Sequence, residues 1–159
     1  MKLAVLVLAA MGPLAGGASA AQTTSSTCSN VSASLGAGGN GMTGGVLEWS
    51  LSITNRGGRA CTVYGRPFVR VAPTAYPVTI AGLQPGEFGL NARTEPIRLA
   101  PGTSARAAVL IVRNCGDFSK RVARTLRVTV GWARGAATVS GEACADGGAT
   151  VIVGPFHRT

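Results

Sequence analysis

The residues Leu47-Glu48-Trp49-Ser50-Leu51-Ser52-Ile53-Thr54 put their apolar side chains on one parity and their polar ones on the other. A helix would scatter them around its circumference, so a period of two marks a strand with one face in a core and one in water. The same alternation returns in Leu126, Val128, Val130 and Trp132, and more briefly in Val31, Ala33 and Leu35 and in Val69 and Val71. Ala105 to Val112 is instead nearly all apolar, which suits a strand covered on both sides. Shorter pieces at Cys61 to Tyr64, Ile97 to Leu99, Val139 and Val151 to Val153 complete the set, with Val78 and Ile80 as an edge strand in the proline-rich stretch 73–96. Roughly eight short strands between Gly and Pro turns predict an all-β sandwich. Helical spacing occurs only over Asp117 to Leu126, where Asp117 would cap a short helix carrying Phe118, Val122 and Leu126 on one side.

The first twenty residues read as a signal peptide. Lys2 supplies the positive end, Leu3 to Ala10 is an apolar run, and Ala18-Ser19-Ala20 has the small residues that signal peptidase needs. Gly12 and Pro13 interrupt the run before it reaches the ~18 residues of a membrane anchor. The expected mature chain is a polar leader over 21–27, one domain over 28–156 and a tail over 157–159, exported and without a membrane span. Its four cysteines, at 28, 61, 115 and 144, suit disulfides in an oxidising compartment. Structural zinc would want close C-x-x-C pairs, which are missing. Without Lys2, fourteen basic residues stand against six acidic ones, a net charge of +8, and thirteen of the fourteen are arginine. Such a balance favours association with anionic partners.

The strand that ends in Thr54 meets Asn55-Arg56-Gly57-Gly58-Arg59-Ala60 and restarts at Cys61. Asn55 tolerates the left-handed conformation and Gly57-Gly58 supply positive φ, so the stretch reads as a corner rather than a catalytic loop. If strand 31–35 runs antiparallel to 47–54, the start of the first meets the end of the second and Cys28 falls beside Cys61. If 105–112 neighbours 126–132, and 137–143 returns alongside, Cys115 falls beside Cys144. Each bridge would close a loop of about thirty residues, worth roughly 3–4 kcal/mol in the chain-entropy account.

Chemistry finds few footholds. Gly36-Ala37-Gly38-Gly39-Asn40-Gly41 spells a dinucleotide fingerprint, but Met42-Thr43-Gly44-Gly45 and a strand follow where a helix is required, so no cofactor is expected. The lone histidine, His157, stands next to the C-terminus, and the six acids Glu48, Glu87, Glu95, Asp117, Glu142 and Asp146 are scattered. Neither a nucleophile with its base nor a metal-ligand cluster is legible, and no catalytic, cofactor or metal residue is assigned. Lys120, Arg121, Arg124 and Arg127 form the densest basic group. On a helix, 120, 124 and 127 would share a face and make an anion-binding patch. Trp49 and Trp132 lie on the apolar parity of their strands, as core residues do.

The order Cys28, Ser32-Ala33-Ser34-Leu35, a glycine-rich link, Ile53-Thr54-Asn55-Arg56-Gly57, Cys61, Gly65-x-Pro67, Leu99-x-Pro101-Gly102, Cys115, Cys144 and Val151-Ile152-Val153-x-Pro155-Phe156 resembles a secreted actinobacterial family, the domain of unknown function four-two-three-two. The resemblance implies an immunoglobulin-like antiparallel β-sandwich of about seven or eight strands with two disulfides. It implies export and says nothing about activity. The leader, the disulfide-stapled β fold, the excess of arginine and the missing catalytic set together give the expected function, a secreted, non-enzymatic binding or structural module of the bacterial envelope or exterior. Its partner would be a protein or an anionic cell-wall polymer, with no nucleic acid as specific partner. A secreted protease inhibitor, presenting the 73–96 segment or the Gly36–Gly45 loop as an inserted strand, is the alternative. N-terminal sequencing of the protein recovered from an exporting host should begin at Ala21; a chain that still begins at Met1 would refute the leader.

Overall fold

A computed structural model of the chain describes residues 26–43, 45–73, 77–115 and 123–159. Among them the strands are β1 (Val31–Thr43), β2 (Val46–Asn55), β3 (Cys61–Val63), β4 (Phe68–Ala72), β5 (Val78–Gly82), β6 (Ile97–Leu99), β7 (Ser104–Arg113), β8 (Ala123–Trp132), β9 (Gly135–Cys144), β10 (Ala149–Val153) and β11 (His157–Arg158). A 3-10 turn over Glu87–Gly89 is the one helical piece among the described residues. The larger sheet runs β1-β2-β7-β10-β5, with β11 continuing along β7; the second runs β4-β8-β9, and β3 pairs β6. All these pairs are antiparallel except β5 on β10, which is parallel. The predicted all-β class holds, and the count rises to eleven because pieces as short as the two residues of β11 find partners.

Alternation decides what each face meets. Leu51 and Ile53 of β2, Ala107, Val109 and Ile111 of β7 and Val151 of β10 turn inward, where they pack on Leu126, Val128 and Val130 of β8 and Val139 of β9 in one buried cluster. Two sheets burying their apolar faces against each other make a sandwich-like arrangement. Gly141 of β9 is a close-approach position, since a Cβ there would fall 2.6 Å from the Ile111 Cδ1. The opposite parity of β7 is also covered. Leu110, with Ile152 of β10, lies under Leu83, Leu90 and Ala92. The irregular stretch after β5 is thus a lid over the outer face, and it explains the apolar run Ala107 to Val112 of β7.

Several expectations change. β7 and β8 are not neighbours in one sheet: β7 pairs β2, β10 and β11, while β8 pairs β4 and β9. Cys115 still meets Cys144, with Cα atoms 5.3 Å apart, because the ends of β7 and β9 face each other across the core. Of the helix expected over 117–126, residues 123–126 belong to β8 and 117–122 lie outside the described residues. The tail expected over 157–159 is partly a strand, with His157 and Arg158 paired to Arg106 and Ala105. The leader's last residues are also tied down, since the Thr62 N–H donates to the Ser26 carbonyl at 2.9 Å. Free backbone groups beside an open strand edge are satisfied by whatever chain lies next to them.

The corner after β2 is built by a side chain rather than by glycine freedom. Neither Asn55 nor Gly57 nor Gly58 is among the positive-φ residues. Asn55 instead is the buried polar residue of the described core, 2% exposed. Its Oδ1 accepts from the Gly57 N–H at 2.8 Å, and its Nδ2 donates to the carbonyls of Arg59 at 2.9 Å and Leu99 at 3.2 Å. Its backbone N–H donates to Thr103 O at 3.0 Å, and its carbonyl accepts from the Gly102 N–H at 2.8 Å. A side-chain oxygen that bonds two residues onward imitates a backbone turn, so the chain reverses without left-handed residues. Burying an amide is costly unless every polar atom is paired, and here each is. Asn55→Ala should cost about 3 kcal/mol by stranding the buried Leu99 carbonyl and the part-buried Arg59 carbonyl and Gly57 N–H. The urea midpoint should fall accordingly at unchanged slope, whereas Arg124→Ala on the surface should stay within about 0.5 kcal/mol of the parent. Equal midpoints for the two variants would refute the latch.

Candidate functional site

The segment 26–31 crosses one end of the sandwich and is held from both sides. The Cys28 N–H donates to the Thr62 carbonyl at 3.0 Å, and the Cys28–Cys61 bridge joins Cα atoms 4.9 Å apart. The Arg56 N–H donates to the Asn30 carbonyl at 2.9 Å. From the second sheet, Trp132 Nε1–H donates to the Cys28 carbonyl at 3.3 Å. A Cβ on Gly135 would lie 2.8 Å from the Val31 carbonyl, so the absence of a side chain there lets the β8–β9 turn press against the segment.

Three cavities surround this pinned segment. One of about 430 Å³ opens between Ser26, Ser29 and Asn30 on one side and Gly57, Gly58 and Arg59 on the other. A second of about 510 Å³ lies between Ser29, Asn30, Val31 and Arg134. A third of about 390 Å³ is lined by Thr27, Arg66, Pro67, Phe68, Trp132 and Ala133. The first and second share Ser29 and Asn30, and the first and third share Thr27. Each cavity has one arginine in its wall and none has a carboxylate. Arg56 stands alongside, exposed, with its Nε donating to Ser32 Oγ at 2.8 Å.

The rest of the charge lies elsewhere. The ion pair between Arg113 and Glu142, at 2.9 Å, belongs to the far end of β7, beside the second disulfide. Nine strand steps separate Ser104 at the arginine pole from Arg113, about 30 Å at the rise of a strand. Arginines beside hydroxyls and an amide, with no carboxylate in the three cavity walls, make a surface that takes oxyanions: guanidinium donates in pairs, and hydroxyls and amides fill the remaining acceptor positions. Among the described residues no three His, Cys, Asp or Glu side chains gather around a metal-sized space, and all four cysteines are in disulfides.

The basic group expected from the sequence does not make this surface. Lys120 and Arg121 lie outside the described residues. Arg124 and Arg127 are exposed on β8, but three positions apart on a regular strand they point to opposite faces, so the shared helical face is lost. Cys28, Cys61, Cys115 and Cys144 pair as expected. Trp49 and Trp132 pack against the main core, and Trp132 also contributes to the third cavity. Arg59, Arg66 and Arg134 carry no sequence signal, because each sits alone on a separate turn. Only the closure of both sheets around segment 26–31 collects them.

The chain matches the model of a protein family described as Domain of unknown function (DUF4232) over residues 27–157. No curated protein and no solved structure matches it. The family match takes in both disulfides, all three cavities apart from Ser26, and every strand except the last residue of β11. The chain thus belongs to this family, a domain of unknown function.

Proposed function

We propose that the protein is an exported, non-enzymatic binding module whose Cys28–Cys61 pole holds an anionic polymer of the bacterial cell exterior. The observation that carries this reading is the set of three adjoining cavities, each with an arginine in its wall and no acid. Two disulfides agree with an oxidising compartment. Among the described residues no helix is long and apolar enough to cross a membrane. A polymer suits the geometry better than a small anion, since the cavities adjoin at Thr27, Ser29 and Asn30 and one chain crossing the segment would meet their arginines in turn. The inhibitor reading has less behind it. Gly36 to Thr43 continues β1 instead of standing free, and the lid after β5 is folded down by Leu83 and Leu90.

Binding that neutralises several charges weakens as salt rises. Mature protein should be retained on isolated cell walls at low salt and released along a sodium chloride series. Arg59→Gln with Arg134→Gln should lower retention by at least about tenfold, the scale of two lost charge-assisted hydrogen bonds. Cys115→Ala with Cys144→Ala should bind like the parent wherever it is folded, although its unfolding free energy falls by about 3 kcal/mol. No retention at low salt, or full retention by the double arginine variant, would overturn the proposal.

A further inference from the structure

The third cavity differs from its neighbours. Pro67, Phe68, Trp132 and Ala133 give it a largely apolar wall, and Arg66 and Thr27 are its polar members. Trp132 is fixed in orientation by its bond to the Cys28 carbonyl and by an edge-to-face contact with Phe156, whose ring centroid lies 5.4 Å away at 89°. It is only partly buried, so part of the indole faces the cavity. Phe68 is equally constrained, with its Cζ 2.9 Å from where a Cβ on Gly131 would sit and the Arg70 guanidinium 5.3 Å from its ring centre. Arg66 spends one donor on the Leu83 carbonyl at 3.1 Å, which orients its guanidinium and leaves most of its donors unspent. Ala133 holds φ at 50°, a left-handed conformation rare for a side chain with a Cβ and one that gathers at binding sites.

A ligand that satisfies this wall needs an apolar face and a negative group at one edge. A linear phosphodiester would use Arg66 and leave the aromatic wall in water. A wholly apolar side chain would cover the wall and strip Arg66 of solvent with nothing in exchange. A pyranose bearing a carboxylate meets both demands: its C–H face lies on the negative face of an aromatic ring, its carboxylate takes a paired bond from Arg66, and a ring hydroxyl reaches Thr27. We infer that the cavity of Arg66, Phe68 and Trp132 is a subsite for a carboxylate-bearing sugar ring, so that the bound polymer is an acidic polysaccharide. The inference rests on the polyanion reading above and adds the class of polymer.

The test uses a Trp49→Phe background, which leaves Trp132 as the remaining tryptophan of the two in the chain. Three probes are titrated by calorimetry and by Trp132 emission: hexagalacturonate, linear polyphosphate of matched charge, and neutral maltohexaose. Hexagalacturonate should bind, shift Trp132 emission and shield it from acrylamide. Arg66→Gln and Phe68→Ala, each checked by thermal melting, should each weaken that binding by about tenfold and leave polyphosphate binding unchanged. Equal binding of hexagalacturonate and polyphosphate, with Trp132 silent, would overturn the sugar subsite while the polyanion reading stands. Equal binding of maltohexaose would overturn the role of Arg66. Binding of neither anionic probe at low salt would overturn both readings together.

Discussion

Asn55 is the point at which one end of the molecule is tied together. Through one amide and one peptide unit it reaches Gly57 and Arg59 in the corner after β2, Leu99 at the end of β6, and Gly102 and Thr103 in the turn before β7. Two stretches of chain distant in sequence, 55–59 and 99–103, therefore share a single buried anchor. Cys61 follows directly, and through it Cys28 and the segment that separates the three cavities. A buried amide holds such a junction better than an apolar side chain would, because its bonds have direction and an alternative packing leaves them unmade. The arginine at the tip of the corner, Arg59, inherits its position from that anchor.

Strands and turns divide the work. The strands supply two apolar faces that need each other, and the lid after β5 supplies a third against the outer side of β7 and β10. The arginines of the cavity walls stand on the connections: Arg59 after β2, Arg66 between β3 and β4, Arg134 between β8 and β9. Connections are free of the alternation that the core imposes, so charge can accumulate there without disturbing packing. The two disulfides sit at opposite ends of β7, but they are not equivalent. Cys61 contributes to a cavity wall and Cys28 fixes Trp132 through its carbonyl, whereas Cys115 and Cys144 close the end that carries the Arg113–Glu142 pair.

The excess of arginine acquires a direction from this layout. Net charge alone favours non-specific association with any polyanion. At the Cys28–Cys61 pole, walls of hydroxyl, amide and guanidinium are shaped into adjoining cavities, and one of them adds an aromatic wall that charge by itself would not require. Glu142 and Asp146 lie on β9 and just after it, at the end away from these arginines.

Strand identity was legible from residue order because burial on one face imposes a period of two, which Leu51, Ile53, Leu126, Val128 and Val130 obey. The pairing of Cys28 with Cys61 was legible for a similar local reason: β1 and β2 form a hairpin, so the start of one must meet the end of the other. The pairing of Cys115 with Cys144 was reached from a neighbour relation that the fold does not have, since alternation tells which face a residue takes and not which sheet its strand joins. Left to tertiary structure alone were the buried latch at Asn55, the lid over Leu110 and Ile152, and the meeting of Arg59, Arg66 and Arg134 around residues 26–31. Periodicity is a property of neighbours along the chain, and a binding surface made of turns is a property of where the chain returns. That return is set by the two sheets closing on each other, which no stretch of residues records by itself.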